Sequence, residues 1–483
     1  MPLNLITDTW IPVIDSSGAP RLIAPWQMAD ASLLRPDWPR ADLNIACLEL
    51  LIGLVALADP PAHVDDWQDR QTPEAERLCE RLLPFAPAFD LLGEGPRFMQ
   101  ELGGLSGEAR PTDLLFIDSG GEGGALTVRE GRYPALDLPL AAMALYTMQT
   151  QAPSGGRGNL TSLRGGGPMS VLVDPGGGLW PLVWANVPDG RPAKPEDLPW
   201  MRRTVTSEGG AARYPHHGHP AEVFFGMPRR LWLVADGDRV TGVIQRPNGT
   251  RYTGWTHPLT AYYRQKAGEN PLPVRPRAGV FGYRHWLGVA VQAMDGLRER
   301  PAMVRAWENR SPEHAAHLIV AGWAMDNMKA LDYVHARPPL VHLPEEKAGR
   351  VNGMVAAAEY LAVALRGALA PVLAEGEARE AVREEFYART QGLFEERLQD
   401  LATEPASDIA RRWLRDMRRE GMTIFERMAM DGLADRRAPD QKAIIDAHKG
   451  LALAFEGITP LGRKAFAELV LPLPEKKKKE AVA

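Results

Sequence analysis

QAPSGGRGNLTSLRGGGP, residues 151–168, places two clusters of glycine and two arginines in one loop. The residues just upstream, 143–148, are mostly apolar, which indicates that the loop leaves a packed element. Glycine has no Cβ, so its backbone amides can approach a surface that side chains would keep at a distance. Arg157 and Arg164 add charge suited to phosphate. This segment, the glycine loop, is therefore predicted to contact a ligand that is anionic and sterically tight.

A second interpretation of the glycine loop stays open. Most stretches rich in glycine, serine and proline only connect regular elements. Long loops inside compact domains, in contrast, are often functional. Composition alone does not decide between a simple connection and a ligand-binding loop.

The N-terminal part of the chain predicts a few strands and helices. Apolar alternation predicts strands at residues 10–13 and 21–23. Asp42 has the side chain of an N-cap for a helix that continues through residues 48–57. A further helix is predicted over residues 73–83.

Residues 84–276 have a different composition, with dense glycine and proline and short segments. Strand-like pieces lie between turns at residues 114–117, 170–173 and 231–234. The fold class predicted from these patterns is α+β, beginning with an irregular mixed α/β domain that has long loops.

The remainder of the chain is predicted to be helical. Residues 286–298 and 314–328 carry helical spacing. From residue 354 onward, four amphipathic stripes follow one another with short links, which predicts an antiparallel four-helix bundle. The stripes begin at Met354, Phe386, Ile409 and Ile444.

These patterns predict three segments. Residues 1–350 form the α+β domain, residues 351–475 form the four-helix bundle, and residues 476–483 form a disordered, lysine-rich tail.

The bulk composition is that of a globular protein without an exceptional charge. Lys+Arg is 56 and Asp+Glu is 61, giving a net charge of -5. Any contact with nucleic acid must therefore use local patches or a complex whose other members supply the positive field. The two cysteines exclude a disulfide framework and a four-cysteine zinc site. Without an export signal or a long apolar run, we expect a cytoplasmic protein and no membrane partner.

The sequence lacks the common signatures of catalytic and cofactor-binding sites. We find no complete phosphate-binding loop, zinc-protease motif, nucleophile elbow or calcium loop. Residues 215–219 (PHHGH) resemble a metal tract, but three histidines so close together do not readily converge on one tetrahedral ion. We therefore expect an exposed loop there, no catalytic residues, no metal and no cofactor.

Five arginines lie between residues 411 and 419 of the third bundle helix. With Asp416 and Glu420 interleaved, the usual interpretation is a solvated helix face. A phosphate-binding stripe is the alternative, and its candidates are Arg411, Arg415 and Arg418.

The order of several short motifs resembles the large subunit (CasA) of type I-E CRISPR Cascade complexes. The glycine loop with its Leu163-Arg164-Gly165-Gly166 ending is the most specific match. The other matches, spread over most of the chain, are ITDTWIPV at residues 6–13, PRAD at 39–42, FMQ at 98–100, RYTG at 251–254 and IVAGW at 319–323.

This resemblance implies a non-catalytic role in antiviral defence. The family's large subunit recognises a protospacer-adjacent motif in double-stranded DNA from the minor groove and starts unwinding the duplex. It then helps to recruit a separate helicase-nuclease. The implied partners are the double-stranded DNA target, the CRISPR guide RNA, the other Cascade subunits and the helicase-nuclease.

The resemblance also assigns candidate DNA-binding residues. The family's glycine loop falls on Ser154, Gly155, Gly156, Arg157 and Gly158, where the arginine departs from the family pattern.

Two more elements carry over from the family. Its motif-reading lysine corresponds to Lys266, with Arg264 as substitute. Its strand-separating wedge aligns with a predicted helix end, where Asp326 and Asn327 replace an Asn-Gln pair and Met325 is the apolar alternative.

The family's guide-RNA handle loop matches Phe116, Ile117 and Asp118, followed by Ser119-Gly120-Gly121. Many relatives have a zinc-binding cysteine cluster before the RYTG motif. The corresponding residues here, 236–239, contain no cysteine, so zinc is not expected.

Two other classes of function remain. An enzyme that binds a phosphorylated metabolite would use the glycine loop as an anion cradle, and a nucleotide or phosphate would then protect the protein against heat. A scaffold that only bridges subunits would assemble but show no dependence on the DNA motif.

Overall fold

The computed structural model describes residues 3–119, 129, 131–156, 158–340 and 343–474. The chain divides into two compact units: Met1–Gly279 with Glu299–Val341, and Val280–Arg298 with His342–Ala483. The second unit thus takes in residues 280–298, which the sequence patterns place in the first domain. The tail 476–483 lies outside the described residues.

The helices are numbered in chain order. They are α1 (Ala41–Ala58), α2 (Val64–Asp69), α3 (Ala75–Leu82), α4 (Leu138–Thr150), α5 (Leu179–Ala185), α6 (Ala302–Arg310), α7 (Glu345–Ala368), α8 (Glu377–Thr403), α9 (Ala406–Phe425), α10 (Ala438–Phe455) and α11 (Pro460–Glu468).

The strands are numbered in the same way. They are β1 (Ile11–Asp15), β2 (Pro20–Ile23), β3 (Leu33–Pro36), β4 (Leu136–Asp137), β5 (Ser170–Asp174), β6 (Arg230–Asp236), β7 (Arg239–Arg246), β8 (Tyr262–Tyr263), β9 (Leu272–Pro273), β10 (Arg298–Glu299), β11 (Ala316–Asp326), β12 (Lys329–Ala336) and β13 (Pro339–Leu340).

The first unit is built from small antiparallel sheets around two buried helices. The sheets have the orders β2-β1-β3, β4-β7-β6 and β12-β11-β13, and β5 also pairs with β11. In that last pairing Ser170 lies opposite Ala321 and Asp174 lies opposite His317. Since β5 begins two residues after the glycine loop ends, the loop leads directly into the sheet that contains β11.

Helix α1 forms the centre of this unit, packed against α4. It is long and apolar enough to cross a membrane, with a mean hydropathy of 1.9, but 89% of it is buried inside the protein. Nearly all side chains of α1 are buried on every side of the helix. A helix that is apolar all round is typical of the core of a large unit, which explains the high hydropathy of α1.

Several predicted elements are confirmed. The strands predicted at residues 10–13 and 21–23 are β1 and β2, which pair with each other. The predicted helices correspond to α1 and α3, and the strand-like pieces at 170–173 and 231–234 are β5 and β6. The α+β class is confirmed as well.

The helix predicted over residues 314–328 is wrong, because this segment is the strand β11 followed by a turn into β12. Strand β11 is paired on both sides and buried along most of its length, so its apolar residues are nearly continuous. Periodicity alone does not separate such a strand from a buried helix. The β-branched Ile319 and Val320 and the aromatic Trp323 favour the strand.

Two further predictions are wrong. Residues 286–298 form no α-helix, and the strand expected at 114–117 is replaced by the 3-10 helices Thr112–Leu115 and Ile117–Ser119.

The second unit contains α7–α11. Helices α7, α8, α9 and α10 pack together as the predicted bundle, and α11 is an addition that packs on α7 and α10. The segment 280–298 belongs to this unit because Tyr283 inserts among its aromatic residues. The Tyr283 ring stacks on Phe394 with centroids 4.3 Å apart and meets the edge of Trp413 at 5.6 Å.

Candidate functional site

The glycine loop is anchored by a buried ion pair. Arg164 is 2% exposed and donates two hydrogen bonds to Glu49 of α1, at 2.8 and 2.7 Å. Ser170 of β5 donates to the same carboxylate at 2.5 Å. Burial alone would lower the pKa of the Arg164 guanidinium, but the Glu49 carboxylate more than offsets this and raises it. The prediction that Arg164 meets phosphate is therefore wrong, because its charge is already neutralised inside the fold.

The first half of the loop approaches other parts of the unit closely. A Cβ at Gly155 would lie 2.2 Å from Nη1 of Arg229, and one at Gly158 would lie 2.5 Å from Cβ of Pro247. Gly156 has φ +79°, and nothing lies within 4 Å of the position of its missing Cβ. Gly156 thus presents bare backbone to open space. Arg157 lies outside the described residues.

An open cleft of about 600 Å³ lies beside this backbone. Ser154, Gly155 and Gly156 line it, together with residues 159–162 and 250–253. The cleft therefore brings together two motifs that are far apart in the sequence, the glycine loop and RYTG. Arg251 and Thr253 of the second motif are exposed.

The second half of the loop packs against β11. A Cβ at Gly167, whose φ is +65°, would lie 2.4 Å from Cγ of Met325 and 2.6 Å from the carbonyl oxygen of Trp323. Only glycine allows this approach. Trp323 in turn donates its indole N–H to Asp42 at 3.2 Å, which ties β11 to the start of α1.

The wedge candidates lie at the tip of the β11–β12 hairpin, not at a helix end. Asp326 of β11 lies opposite Lys329 of β12 in the strand register, and Asn327 has φ +53° in the turn between them. Asp326 and Asn327 are exposed, whereas Met325 is half-buried against Gly167. The apolar side chain at the tip is Met328, 48% exposed, which the sequence analysis missed. Asn in a short turn between apolar strands is the signal that would have identified the hairpin.

The basic turn containing Lys266 is the loop of a second hairpin, between β8 and β9. Lys266 is exposed, while Arg264 forms an ion pair with Glu299. Arg275, just after β9, approaches the glycine loop, because a Cβ at Gly165 would lie 3.0 Å from its Nη2. The segment after β9 thus approaches the glycine loop, and in the turn before β9 it is Lys266 rather than Arg264 that has its charge available.

The residues predicted to bind the guide-RNA handle are buried. Phe116 and Ile117 are almost inaccessible, and Asp118 accepts a hydrogen bond from Arg40 at 2.7 Å. The Phe116 ring also stacks on Tyr133, with centroids 4.4 Å apart. These side chains stabilise the unit, so a contact with RNA would require this segment to rearrange. Gly120 and Gly121 lie outside the described residues.

The arginines of α9 differ in their exposure and in their carboxylate partners. Arg412 and Arg419 pair with carboxylates of α8 or α9. Arg411 and Arg418 are exposed, with partners at 3.2 and 3.3 Å in Asp408 and Glu456. Arg415 is exposed, and no carboxylate of the described residues lies within 4 Å of it. The exposed arginines of α9 are therefore Arg411, Arg415, Arg418 and Arg419, and Arg419 was not among the three that the sequence analysis singled out.

Residues 215–219 do not gather into a metal site. Across the described residues, no group of three or more His, Cys, Asp or Glu side chains could hold a metal ion. His216 and His217 lie with Tyr214 in a small aromatic cluster, and His219 lies in the wall of a separate cavity of about 370 Å³.

Comparisons with known proteins agree with this architecture. The family model for the CRISPR-associated protein Cse1 matches residues 4–424. The crystal structure of CasA from Thermus thermophilus has a TM-score of 0.74 at 19% identity, covering 94% of this chain and 99% of that one.

Two further solved structures are similar. Cse1 from Thermobifida fusca has a TM-score of 0.75 at 18% identity, covering 97% of this chain and 98% of that one. A chain of a CRISPR RNA-guided surveillance complex has a TM-score of 0.71 at 16% identity, covering 93% and 99%. These likenesses confirm the fold, and the family model, which spans most of the sequence, confirms the resemblance: the chain belongs to the CRISPR-associated Cse1 family.

Proposed function

We propose that this chain is the non-catalytic large subunit of an RNA-guided Cascade complex in the cytoplasm. In this role it recognises the protospacer-adjacent motif in double-stranded DNA, starts unwinding and helps to recruit the helicase-nuclease. Family membership supports the role, and one similar solved chain comes from a complex described as an RNA-guided surveillance complex. Its partners are the DNA target, the guide RNA, the other Cascade subunits and the helicase-nuclease.

The observation that carries this proposal is the contact between the glycine loop and the β11–β12 hairpin. Gly167 lets the loop rest on Trp323 and Met325, so the loop and the strand leading to the hairpin tip pack as one element. The minor groove is only about 6 Å wide, which admits the bare backbone at Gly156 but no bulky side chain. Reading the motif and separating the strands would then be done by adjoining elements.

Individual basic residues of the unit are suited to DNA although the protein is acidic overall. Arg251 lines the cleft, Arg275 lies beside Gly165, and Lys266 and Lys329 are exposed at the ends of two hairpins. Basic side chains of this kind hold phosphates without requiring a basic protein. Lys266 is the proposed motif reader.

The hairpin tip is the proposed wedge. Met328 supplies the apolar side chain that proteins insert between base steps, and Asp326 and Asn327 flank it. Unstacking a step costs a few kcal/mol, which contacts from the glycine loop and the basic turn offset. Lys329 beside Asp326 reduces the repulsion between that carboxylate and DNA.

The metabolite enzyme is the weaker alternative. Its anion cradle needs free charge in an enclosed site, but Arg164 is neutralised by Glu49 and the cleft beside the loop is open. A nucleotide that raised the thermal midpoint of the isolated protein well beyond the effect of inorganic phosphate would favour this alternative over the proposed role.

Lys266→Ala tests the proposal in a complex reconstituted with guide RNA and the other subunits. We expect affinity for targets with a preferred motif to fall about tenfold, since one base-edge contact contributes about 1–3 kcal/mol. Affinity should be measured over a library of motif sequences. Lys194→Ala, which removes another exposed lysine of the same unit, is the control and should bind as the unchanged protein does.

An unchanged motif preference for Lys266→Ala would reject the assignment of Lys266. Failure of the unchanged protein to assemble with guide RNA and the other subunits, or assembly without any motif preference, would reject the role in motif recognition.

Arg411, Arg415 and Arg418 of α9 are proposed to hold the displaced strand. In the triple variant Arg411→Ala/Arg415→Ala/Arg418→Ala, the slope of log affinity against log salt should fall by about 0.7 for each lost phosphate contact. Arg437→Ala, a control whose side chain is 87% exposed in the same unit, should leave the slope unchanged. The same slope in the triple variant and the control would contradict the assignment.

A further inference from the structure

Arg229 lies directly beneath the glycine loop with its charge uncompensated. It is 4% exposed, and its Nη2 donates a hydrogen bond to the carbonyl oxygen of Pro153 at 2.6 Å. Its Nε is buried with no hydrogen-bond partner among the described residues. Burial lowers the pKa of Arg229 to about 10, so the guanidinium still carries its proton at neutral pH.

The other buried arginines have a different environment. Arg164 pairs with Glu49 at 2.7 Å, Arg213 with Glu222 at 2.6 Å and Arg310 with Asp189 at 2.5 Å. For Arg229 no carboxylate of the described residues lies within 4 Å. A buried cation without a counter-ion destabilises a fold, so its presence calls for a functional reason.

The geometry of Gly155 supplies that reason. A Cβ on Gly155 would lie 2.2 and 2.5 Å from the two terminal nitrogens of Arg229, so the guanidinium occupies the space where a side chain would be. Gly155 also lines the open cleft. The backbone of Gly155 therefore separates the Arg229 guanidinium from the cleft. An anion bound on that backbone would be strongly attracted by the guanidinium, because protein rather than water lies between the two charges.

We propose that Arg229 and the backbone of Gly155 form an anion-binding subsite whose ligand is a backbone phosphate of the target duplex. This subsite rests on the proposed function and adds a phosphate contact beside the motif reader. Arg229 acts as a positioning residue: it fixes the duplex so that the glycine loop meets the minor groove.

Three substitutions at Arg229 separate its charge from its structural role. Arg229→Gln can still donate to Pro153 but has no charge, Arg229→Met can do neither, and Arg229→Lys keeps the charge. In the reconstituted complex, the two neutral variants should bind a matched double-stranded target about fivefold or more weakly, with a salt slope lower by about 0.9 for the lost phosphate. Arg229→Lys should keep the slope. The thermal midpoint of the neutral variants should not fall.

Arg310→Gln provides the contrasting control, because it removes a buried arginine that has a carboxylate partner. Its thermal midpoint should fall while its salt slope stays that of the unchanged protein. The same pattern in Arg229→Gln would show a structural arginine and overturn the proposal. A change in guide-RNA assembly with no change in DNA binding would also overturn it.

The outcomes also distinguish this subsite from the wider role. If Lys266→Ala loses motif preference while the neutral Arg229 variants bind as the unchanged protein, the subsite is rejected and the role stands. If the unchanged complex shows no motif preference at all, the role fails and the subsite with it.

Discussion

Arg164→Ala is expected to lower the free energy of unfolding by about 3–5 kcal/mol, because it breaks a buried ion pair by removing one partner. The variant leaves Glu49 buried as an unpaired carboxylate, with only Ser170 donating to it. It also removes the link between the glycine loop and α1. The measurement is urea denaturation of the isolated protein followed by circular dichroism.

A matched control is Arg411→Ala, which removes an exposed arginine paired with Asp408 three residues earlier. Its cost should be about 0.5 kcal/mol or less, since exposed pairs contribute little. The double variant Glu49→Leu/Arg164→Met should recover much of the loss, because it removes both charges together. If Arg164→Ala costs no more than Arg411→Ala, the ion pair is not the anchor of the loop.

Local patterns were sufficient to predict much of the fold. Helix α1 is apolar over most of its 18 residues, and the bundle stripes place Met354, Ile409 and Trp413 in the core, where they are buried. They failed for β11, because a strand paired on both sides has the same apolar run as a buried helix. They also failed for residues 286–298, whose position depends on the contacts of Tyr283 with the bundle.

The candidate site was only partly accessible from sequence. The glycine loop is recognisable because its composition is local. The environment of Arg164 could not be predicted from the loop, since its charge is neutralised by a carboxylate 115 residues away in the sequence. No sequence motif surrounds Arg229. It is distinguished only by its three-dimensional environment, in which no carboxylate of the described residues lies within 4 Å of its guanidinium. The burial of the residues predicted to bind the guide-RNA handle could not be read from the sequence either, because Asp118 is buried through its ion pair with the distant Arg40.

Gly156→Asn is expected to reduce the affinity of the assembled complex for double-stranded target by about tenfold, or about 1.4 kcal/mol, while lowering folding stability by only about 1 kcal/mol. Gly156 has φ +79° and open space around it, so an asparagine, which tolerates this conformation, fits without a clash. Its side chain would then fill the space that a duplex needs, in a groove only about 6 Å wide. The measurements are target affinity and the thermal midpoint.

Gly18→Asn is the matched control, because Gly18 has φ +82° and an equally open surrounding in the turn between β1 and β2. Both variants introduce asparagine into the same left-handed conformation, so the backbone cost of about 1 kcal/mol is common to both and cancels in the comparison. What remains is the effect of a side chain at the cleft. Equal affinity of the two variants for target DNA would mean that the bare backbone at Gly156 does not enter the duplex, and the steric basis of the proposed recognition would be lost.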